Sequence, residues 1–219
     1  MKTNLSFWHL LTLVLLVLPT IYLTGVWDEL PAQIPTHFDI NGQPNGYTAK
    51  ESMWWLCVVA PLAIYFLLTW LPRFDPKRRI DSAATNFQKL RLTLVAGLSV
   101  FSCMSLYAAL HPGTMIGKGV VLALGIFFAL LGNYLTTVRP NYFVGIRTPW
   151  ALEFPVIWEK THRLGGRLFF WSGLVVMVAT VVVSAKVANT LLATLILTSV
   201  VITYGYSYGV YRQQEKTLG

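Results

Sequence analysis

The sequence predicts an all-α, polytopic integral membrane protein with six transmembrane helices, and three observations lead to this fold class. The chain of 219 residues is 55% hydrophobic and only 12% charged, whereas a soluble domain carries about 25% charged residues. Six apolar segments are each near the roughly 20 residues that a helix needs to cross a bilayer. Lys and Arg, finally, are distributed very unevenly among the stretches that connect these segments.

The apolar segments are too long and unbroken for the alternating strands of an outer-membrane barrel, so helices are expected. The predicted spans cover residues 5–27, 52–71, 92–110, 115–138, 168–185 and 187–211, with a tight turn around Lys186 between the last two. The first span follows Lys2 and resembles a secretion signal in charge, but no Ala-x-Ala cleavage pattern follows it. We therefore interpret it as an uncleaved span.

The distribution of basic residues predicts that both termini lie in the cytoplasm. Of the 17 Lys and Arg residues, only Lys50, Lys118 and Lys186 fall on the other side. Cytoplasmic loops of membrane proteins are enriched in Lys and Arg, which gives an N-in, C-in membrane protein. The same bias explains the net charge of +8, so the lipid bilayer is an expected partner and nucleic acid is not.

Three regions are predicted along the chain. Residues 1–72 form a module of two spans joined by an outside loop, 28–51. Residues 73–91 form a basic cytoplasmic loop that would lie among anionic lipid head groups. Residues 92–219 form a four-span domain whose cytoplasmic loop covers residues 139–167.

The outside loop is predicted to be a small ordered lid made of a short strand, a tight turn and an aromatic closure. Residues 36–40 supply the strand, and the Asn-Gly and Pro-Asn-Gly sequences at residues 41–46 are turn signals. Its candidate site residues are His37, Asp39, Asn41, Gly42 and Tyr47. Acidic side chains outnumber Lys in this loop, which fits a cationic partner but also fits the usual charge bias of the outer face.

The cytoplasmic loop is predicted to be an interfacial or re-entrant helical hairpin. Pro140 ends the fourth span, and Thr148-Pro149 has the pattern of a helix cap followed by Pro at the first helical position. Pro155 begins a further helical piece that carries Trp158, Glu159, His162 and Arg163, and Gly165-Gly166 turns the chain into the fifth span.

Chemistry is sparse in the sequence. Asn133, inside the fourth span, is expected to face other helices or a cavity, and a polar pocket around Asn133, Arg147 and His162 would suit a membrane enzyme or a small-molecule carrier. Glu159 and His162 are spaced i, i+3 as a weak candidate metal pair, with a hydrogen-bonded or solvated pair as the alternative. The nucleophile-elbow, zincin and Walker patterns are absent from the sequence, so we predict no enzyme activity and no cofactor.

Two stretches resemble known families. Asn133, the run Arg139-Pro-Asn-Tyr-Phe-Val-Gly-Ile-Arg-Thr-Pro-Trp150 and the sequence from Trp158 to Gly166 resemble the signature of the SdpI family of bacterial membrane immunity proteins. Residues 34–47 resemble DUF1648, a domain of unknown function often fused to it. The residues that match the SdpI pattern are Asn133, Arg139, Asn141, Arg147, Thr148, Pro149, Trp150, Trp158, His162 and Arg163.

The resemblance implies a function that the residues alone do not. It implies a multi-pass membrane protein that confers resistance to a secreted, membrane-active toxic peptide. It further implies that the occupied protein recruits a small transcriptional repressor to the membrane. The expected partners are therefore a cationic peptide outside and a small repressor inside. A membrane enzyme or carrier remains the alternative.

Overall fold

The computed structural model describes residues 6–76, 80–81, 84–114 and 116–218, and within them six helices are long and apolar enough to cross a membrane. The helices are α1 (Phe7–Gly25), α2 (Ala60–Phe74), α3 (Thr85–Leu110), α4 (Gly117–Leu135), α5 (Pro149–Glu153), α6 (Pro155–Val182) and α7 (Ala185–Leu218). All but the short α5 are spans, and the second span also includes the turns that begin at Lys50. The all-α polytopic class is thereby confirmed. Lys2 and the basic residues 77–79, which entered the prediction of orientation, lie outside the described residues.

The outside loop folds into a two-stranded antiparallel hairpin, β1 (Gln33–Phe38) with β2 (Pro44–Ala49), in which Ile34 pairs with Thr48. Pro44-Asn45-Gly46, predicted as a turn, lies in β2 instead. The turn closes earlier because the carboxylate of Asp39 accepts hydrogen bonds from the backbone N–H groups of Asn41 and Gln43, both at 2.8 Å.

A buried apolar cluster holds the base of this hairpin against the first three spans. Ile34 of β1 packs with Leu23 of α1, with Met53 and Cys57 at the start of the second span and with Leu106 of α3, all of them fully buried. The lid is therefore an integral part of the amino-terminal helical module.

Helices α4 and α6 pack very closely because glycines face each other along their contact. A Cβ atom on Gly166 would lie 2.7 Å from the carbonyl oxygen of Gly132, and one on Gly125 would lie 2.9 Å from Met177. Residues without a side chain let helix backbones approach in this way. Gly165-Gly166, predicted as a turn into the fifth span, is thus helical, and the predicted loop 139–167 ends at Phe154.

The tip of the hairpin reaches across to the second half of the chain. The backbone of Gly42 lies directly against that of Gly117 at the start of α4, and Asn189 of α7 donates a hydrogen bond to the carbonyl oxygen of Ile40 at 3.1 Å. The turn between α6 and α7 falls at residues 183–184, just before the predicted position of Lys186. The outer ends of the two halves are therefore joined by direct contacts.

Candidate partner-binding site on the cytoplasmic face

The segment between α4 and α5, residues 136–148, is held in shape by one buried side chain, that of Asn141. Its oxygen accepts from the N–H groups of Phe143 and Val144 at 2.8 and 2.7 Å. Its amide nitrogen donates to the carbonyl oxygens of Arg139 and Val144, both at 2.9 Å. Asn141 is 3% exposed, and its amide group thereby uses both its donor and its acceptor capacity.

His162 connects this segment to α6. Its Nε2 accepts from the N–H of Ile146 at 2.8 Å, and its Nδ1 lies 2.9 Å from the carbonyl oxygen of Trp158. A backbone N–H can only donate, so Nε2 carries no proton and Nδ1 donates. Both ring nitrogens of the buried His162 are therefore occupied by protein atoms.

The candidate metal pair does not converge in the structure. Glu159 is exposed and forms an ion pair with Arg163 one turn later, pointing away from the buried ring of His162. Across the described parts of the chain, no group of three or more His, Cys, Asp or Glu side chains could hold a metal ion. Glu159 and His162 each bond to other groups, Glu159 to Arg163 and His162 to the backbone of Ile146 and Trp158.

Trp158 and Gly145 complete the contact between the segment and α6. The indole N–H of Trp158 donates to the carbonyl oxygen of Val138 at 2.9 Å, and its ring stacks on His162 with centroids 4.0 Å apart. Gly145 has a φ of 122°, and a Cβ atom there would overlap Nε2 of His162. Only glycine fits at this position.

Ser207 of α7 is a hydrogen-bonding centre that the sequence did not reveal. Its hydroxyl lies 3.0 Å from that of Thr148 and accepts from the indole N–H of Trp150 at 2.6 Å and from Thr161 at 2.8 Å. Ser199, Thr203 and Ser207 recur every four residues along α7 and are buried. That helical spacing of hydroxyls is the signal from which the centre could have been found.

The short helix α5 begins as the sequence predicted. The hydroxyl of Thr148 accepts from the N–H of Ala151 at 3.2 Å, and Pro149 occupies the first turn. Trp150 then packs among the rings of Tyr204, Tyr208 and Tyr211, with centroids 5.3 to 6.0 Å away. This aromatic contact and Ser207 together attach α5 to α7.

Six side chains of the segment are exposed, and we call four of them the cytoplasmic platform: Arg139, Tyr142, Phe143 and Arg147. Both arginines are exposed, and Tyr142 and Phe143 are 43% and 37% exposed. Arg147 donates to the carbonyl oxygen of Tyr142 at 2.7 Å, so its position is tied to the segment. The predicted site residues of the cytoplasmic loop therefore fall into two groups. One group is buried and holds the segment in shape, and the other is exposed.

The predicted polar pocket of Asn133, Arg147 and His162 does not form as one cavity. Asn133 is exposed near the end of α4 and lines a cavity of about 290 Å³ that neither Arg147 nor His162 lines. Arg147 belongs to the platform, and His162 is enclosed between the segment and α6.

On the outer face, the predicted residues also divide by role. Hydrogen bonds from the N–H of Gln43 and from Asn41 hold the pKa of Asp39 below its ordinary value, and Gly42, with a φ of 81°, contacts Gly117. His37 packs against Gly46, while Asn41 and Tyr47 are exposed.

Acidic side chains surround the base of the hairpin. Asp28, Glu29 and Glu51 are exposed. The one nearby lysine, Lys50, is directed to the carbonyl oxygen of Leu30 and the ring of Trp27, 4.6 Å away. The surface at the base of the hairpin is therefore anionic.

Arg91 is a second polar centre that the sequence did not single out. It is 3% exposed and donates to Thr69 at 3.1 Å and to His9 at 2.9 Å, tying α3 to α2 and α1. Its guanidinium also lies 5.1 Å from the ring centroid of Tyr65. The prediction treated Arg91 as a loop cation because hydropathy begins the span at residue 92, whereas α3 begins at Thr85.

The fold and the site together define a multi-pass cell-membrane protein with a lid on one face and a rigid polar segment on the other. Residues 137–207 match the SdpI/YfhL protein family, and residues 14–60 match DUF1648, a domain of unknown function. The chain is also 25% identical over 197 residues to the Immunity protein SdpI of Bacillus subtilis (strain 168), covering 88% of this chain and 91% of that protein. No solved structure matches it significantly. The resemblance to the SdpI family with an amino-terminal DUF1648 module is thereby confirmed.

Proposed function

We propose that this chain is a membrane immunity and sensor protein that protects its cell from a secreted, membrane-active toxic peptide. The observation that carries the proposal is the similarity to the Immunity protein SdpI, which extends over 88% of the chain. A similarity of that extent takes in most of the chain rather than one motif, and the two family matches, at residues 14–60 and 137–207, lie in different halves of the chain. The proposed role is binding and signalling, without catalysis.

The outer face is suited to a cationic amphipathic peptide. Asp28, Glu29 and Glu51 supply negative charge beside the membrane, and Trp54 and Trp55 are 39% and 66% exposed next to them. Charge complementarity accelerates the encounter of such partners, while exposed indole rings supply an apolar contact at the depth where the peptide would lie. We propose this surface as the site of first contact.

The cytoplasmic platform is suited to a protein partner. Arginine and aromatic side chains are enriched in protein interfaces, and the platform presents two of each on a framework that Asn141 and His162 hold in place. We propose that a small transcriptional repressor is sequestered there when the outer surface is occupied.

The test is complementation in Bacillus subtilis. A strain that lacks SdpI is grown in co-culture with its parent, and survival is compared when it expresses its own SdpI, this chain or the Arg147→Ala variant at matched membrane levels. The control variant is Arg212→Ala, which removes an exposed arginine near the end of α7. We expect protection from the intact chain and from Arg212→Ala, and its loss in Arg147→Ala.

Failure of the intact chain under conditions where SdpI restores survival would overturn the immunity proposal. Equal protection by both arginine variants would support the immunity proposal but show that Arg147 of the platform is not needed for protection. A transcriptional reporter for the repressor, read in the same strains, tests the signalling part separately from survival.

A further inference from the structure

We propose that the crevice between α1, α3 and α4 binds an anionic phospholipid of the cytoplasmic leaflet. In this arrangement the phosphate lies near Lys89 and Arg139, and an acyl chain follows the α3–α4 groove. The inference does not depend on immunity, because it rests on three adjoining cavities and their order of polarity.

The outermost of these cavities, of about 260 Å³, is polar and lies at the cytoplasmic end of α4. Arg139, Asn86 and Thr137 line it, together with one carboxylate, that of Asp81. Its walls come from the start of α3, the end of α4 and the segment that follows α4.

The second cavity, of about 290 Å³, lies deeper and shares Asn86, Tyr134 and Thr137 with the first. It adds Lys89, whose Nζ lies 4.9 Å from the ring centroid of Trp8. Within the described residues, no ion pair involves Lys89. Among the residues that the structure describes, two cations and one carboxylate therefore line the joined cavities, which leaves a positive site for a phosphate at head-group depth.

The third cavity, of about 120 Å³, continues along α3 and α4 and is lined almost wholly by apolar side chains. It shares Ala96 and Leu130 with the second cavity and extends to Phe101 and Ala123. Beyond Val100 a wider cavity of about 620 Å³ continues toward Tyr107. The order from the cytoplasmic surface inward is polar, amphipathic with one lysine, and apolar, which is the order of the parts of a phospholipid.

The occupant follows from that order. A free phosphate has no part that would fill the apolar groove. A zwitterionic lipid would fill the groove, but its head group has no net charge and would be attracted less strongly by the two cations. Lys and Arg near the cytoplasmic leaflet attract anionic lipids. We therefore commit to a lipid such as phosphatidylglycerol.

The test is native mass spectrometry of the full chain in detergent, after exposure to phosphatidylglycerol or phosphatidylcholine with the same acyl chains. We expect preferential retention of phosphatidylglycerol. Lys89→Gln should reduce that preference by about fivefold, the effect of losing one cation near the surface. Lys89→Arg should keep it, and Lys160→Gln, which removes an exposed lysine of α6, is the matched control.

A second variant tests the groove independently of charge. Ala123 lines the apolar cavity, so Ala123→Phe should lower the retention of both lipids while thermal unfolding stays cooperative. Equal retention of the two lipids by the intact chain would overturn the proposal, as would identical behaviour of Lys89→Gln and Lys160→Gln. Displacement of the bound lipid by excess inorganic phosphate would likewise overturn it in favour of a free-anion site.

Discussion

Gly145 lies where the cytoplasmic segment passes closest to α6, and it shows how strictly single residues are constrained there. Its positive φ and the position of the His162 ring both exclude a side chain. The surrounding bonds from Asn141 and His162 explain why the segment needs no helix or strand of its own. Most of the residues that match the SdpI pattern therefore hold the segment in shape, and few of them are exposed and able to contact a partner.

Replacing Gly145 with Ala should therefore destabilise the protein. Both strain at a positive φ and overlap with His162 oppose the added methyl group, and we expect a loss of about 2 kcal/mol or more in the free energy of unfolding. Denaturant unfolding in detergent measures it. Gly205→Ala is the control, because nothing lies within 4 Å of that position. Equal stability of the two variants would contradict this description of the segment.

The local features of these residues were predictable from the sequence, and their distant contacts were not. The cap at Thr148 and the proline after it obey rules that involve only neighbouring residues. The bond from Ile146 to His162 joins positions 16 apart, and that from Trp150 to Ser207 joins positions 57 apart. Such contacts depend on how the helices pack, which one sequence does not reveal.

The outer hairpin is the element whose stability should depend on pH. The N–H groups of Gln43 and Asn41 favour the charged form of Asp39, so its pKa in the folded hairpin lies below the ordinary value of 3.8. A carboxylate with a lowered pKa contributes stability above its ordinary pKa and loses that contribution as the pH falls through the lowered value. The turn should therefore loosen only in acid.

Hydrogen exchange of the Asn41 and Gln43 amides, corrected for the intrinsic effect of pH, measures this loosening. We expect protection at neutral pH that declines below the ordinary pKa of Asp39. The Asp39→Ala variant should lack the protection at every pH, whereas Glu51→Gln, an exposed carboxylate outside the turn, should leave it unchanged. Full protection of both amides in Asp39→Ala would show that the carboxylate does not hold the turn.

The length of α6 shows where prediction at the element scale fails. Hydropathy places the start of the fifth span at residue 168 because Glu159, Lys160, His162 and Arg163 precede it, yet the helix begins at Pro155. Gly165 and Gly166 have the pattern of a turn when only their conformational freedom is considered. In the structure they serve close packing instead: Gly166 faces Gly132 of α4, and Gly165 faces Ile146 and Thr203 of α7.

At the scale of the whole molecule, parts of the chain that are far apart in sequence come together on both faces. The hairpin tip contacts α4 and α7 on the outer face, while the segment after α4 and the start of α3 enclose a cavity on the inner face. The signalling proposed above would have to pass through the helices that connect these two sets of contacts.

Gly117→Ala should weaken the contact between the hairpin tip and the start of α4. The added Cβ atom would lie 2.6 Å from Cα of Gly42, so one backbone must move, and we expect a loss of about 1 to 3 kcal/mol in the free energy of unfolding. Thermal unfolding in detergent and exchange at the hairpin measure it. Gly25→Ala, near the same membrane surface but with nothing within 4 Å, should change neither. Unchanged stability and unchanged exchange at the hairpin in Gly117→Ala would show that the hairpin tip does not pack against α4.

The most direct test of the cytoplasmic framework is hydrogen exchange of three amides, those of Phe143, Val144 and Ile146, with the protein in lipid nanodiscs. All three lie outside helices and strands, yet each donates to a side chain. We predict slow exchange for all three, with Asn141→Ala releasing Phe143 and Val144 while Ile146 stays protected by His162. Exchange of all three at the rate of an unstructured loop in the intact protein would contradict the existence of a rigid platform.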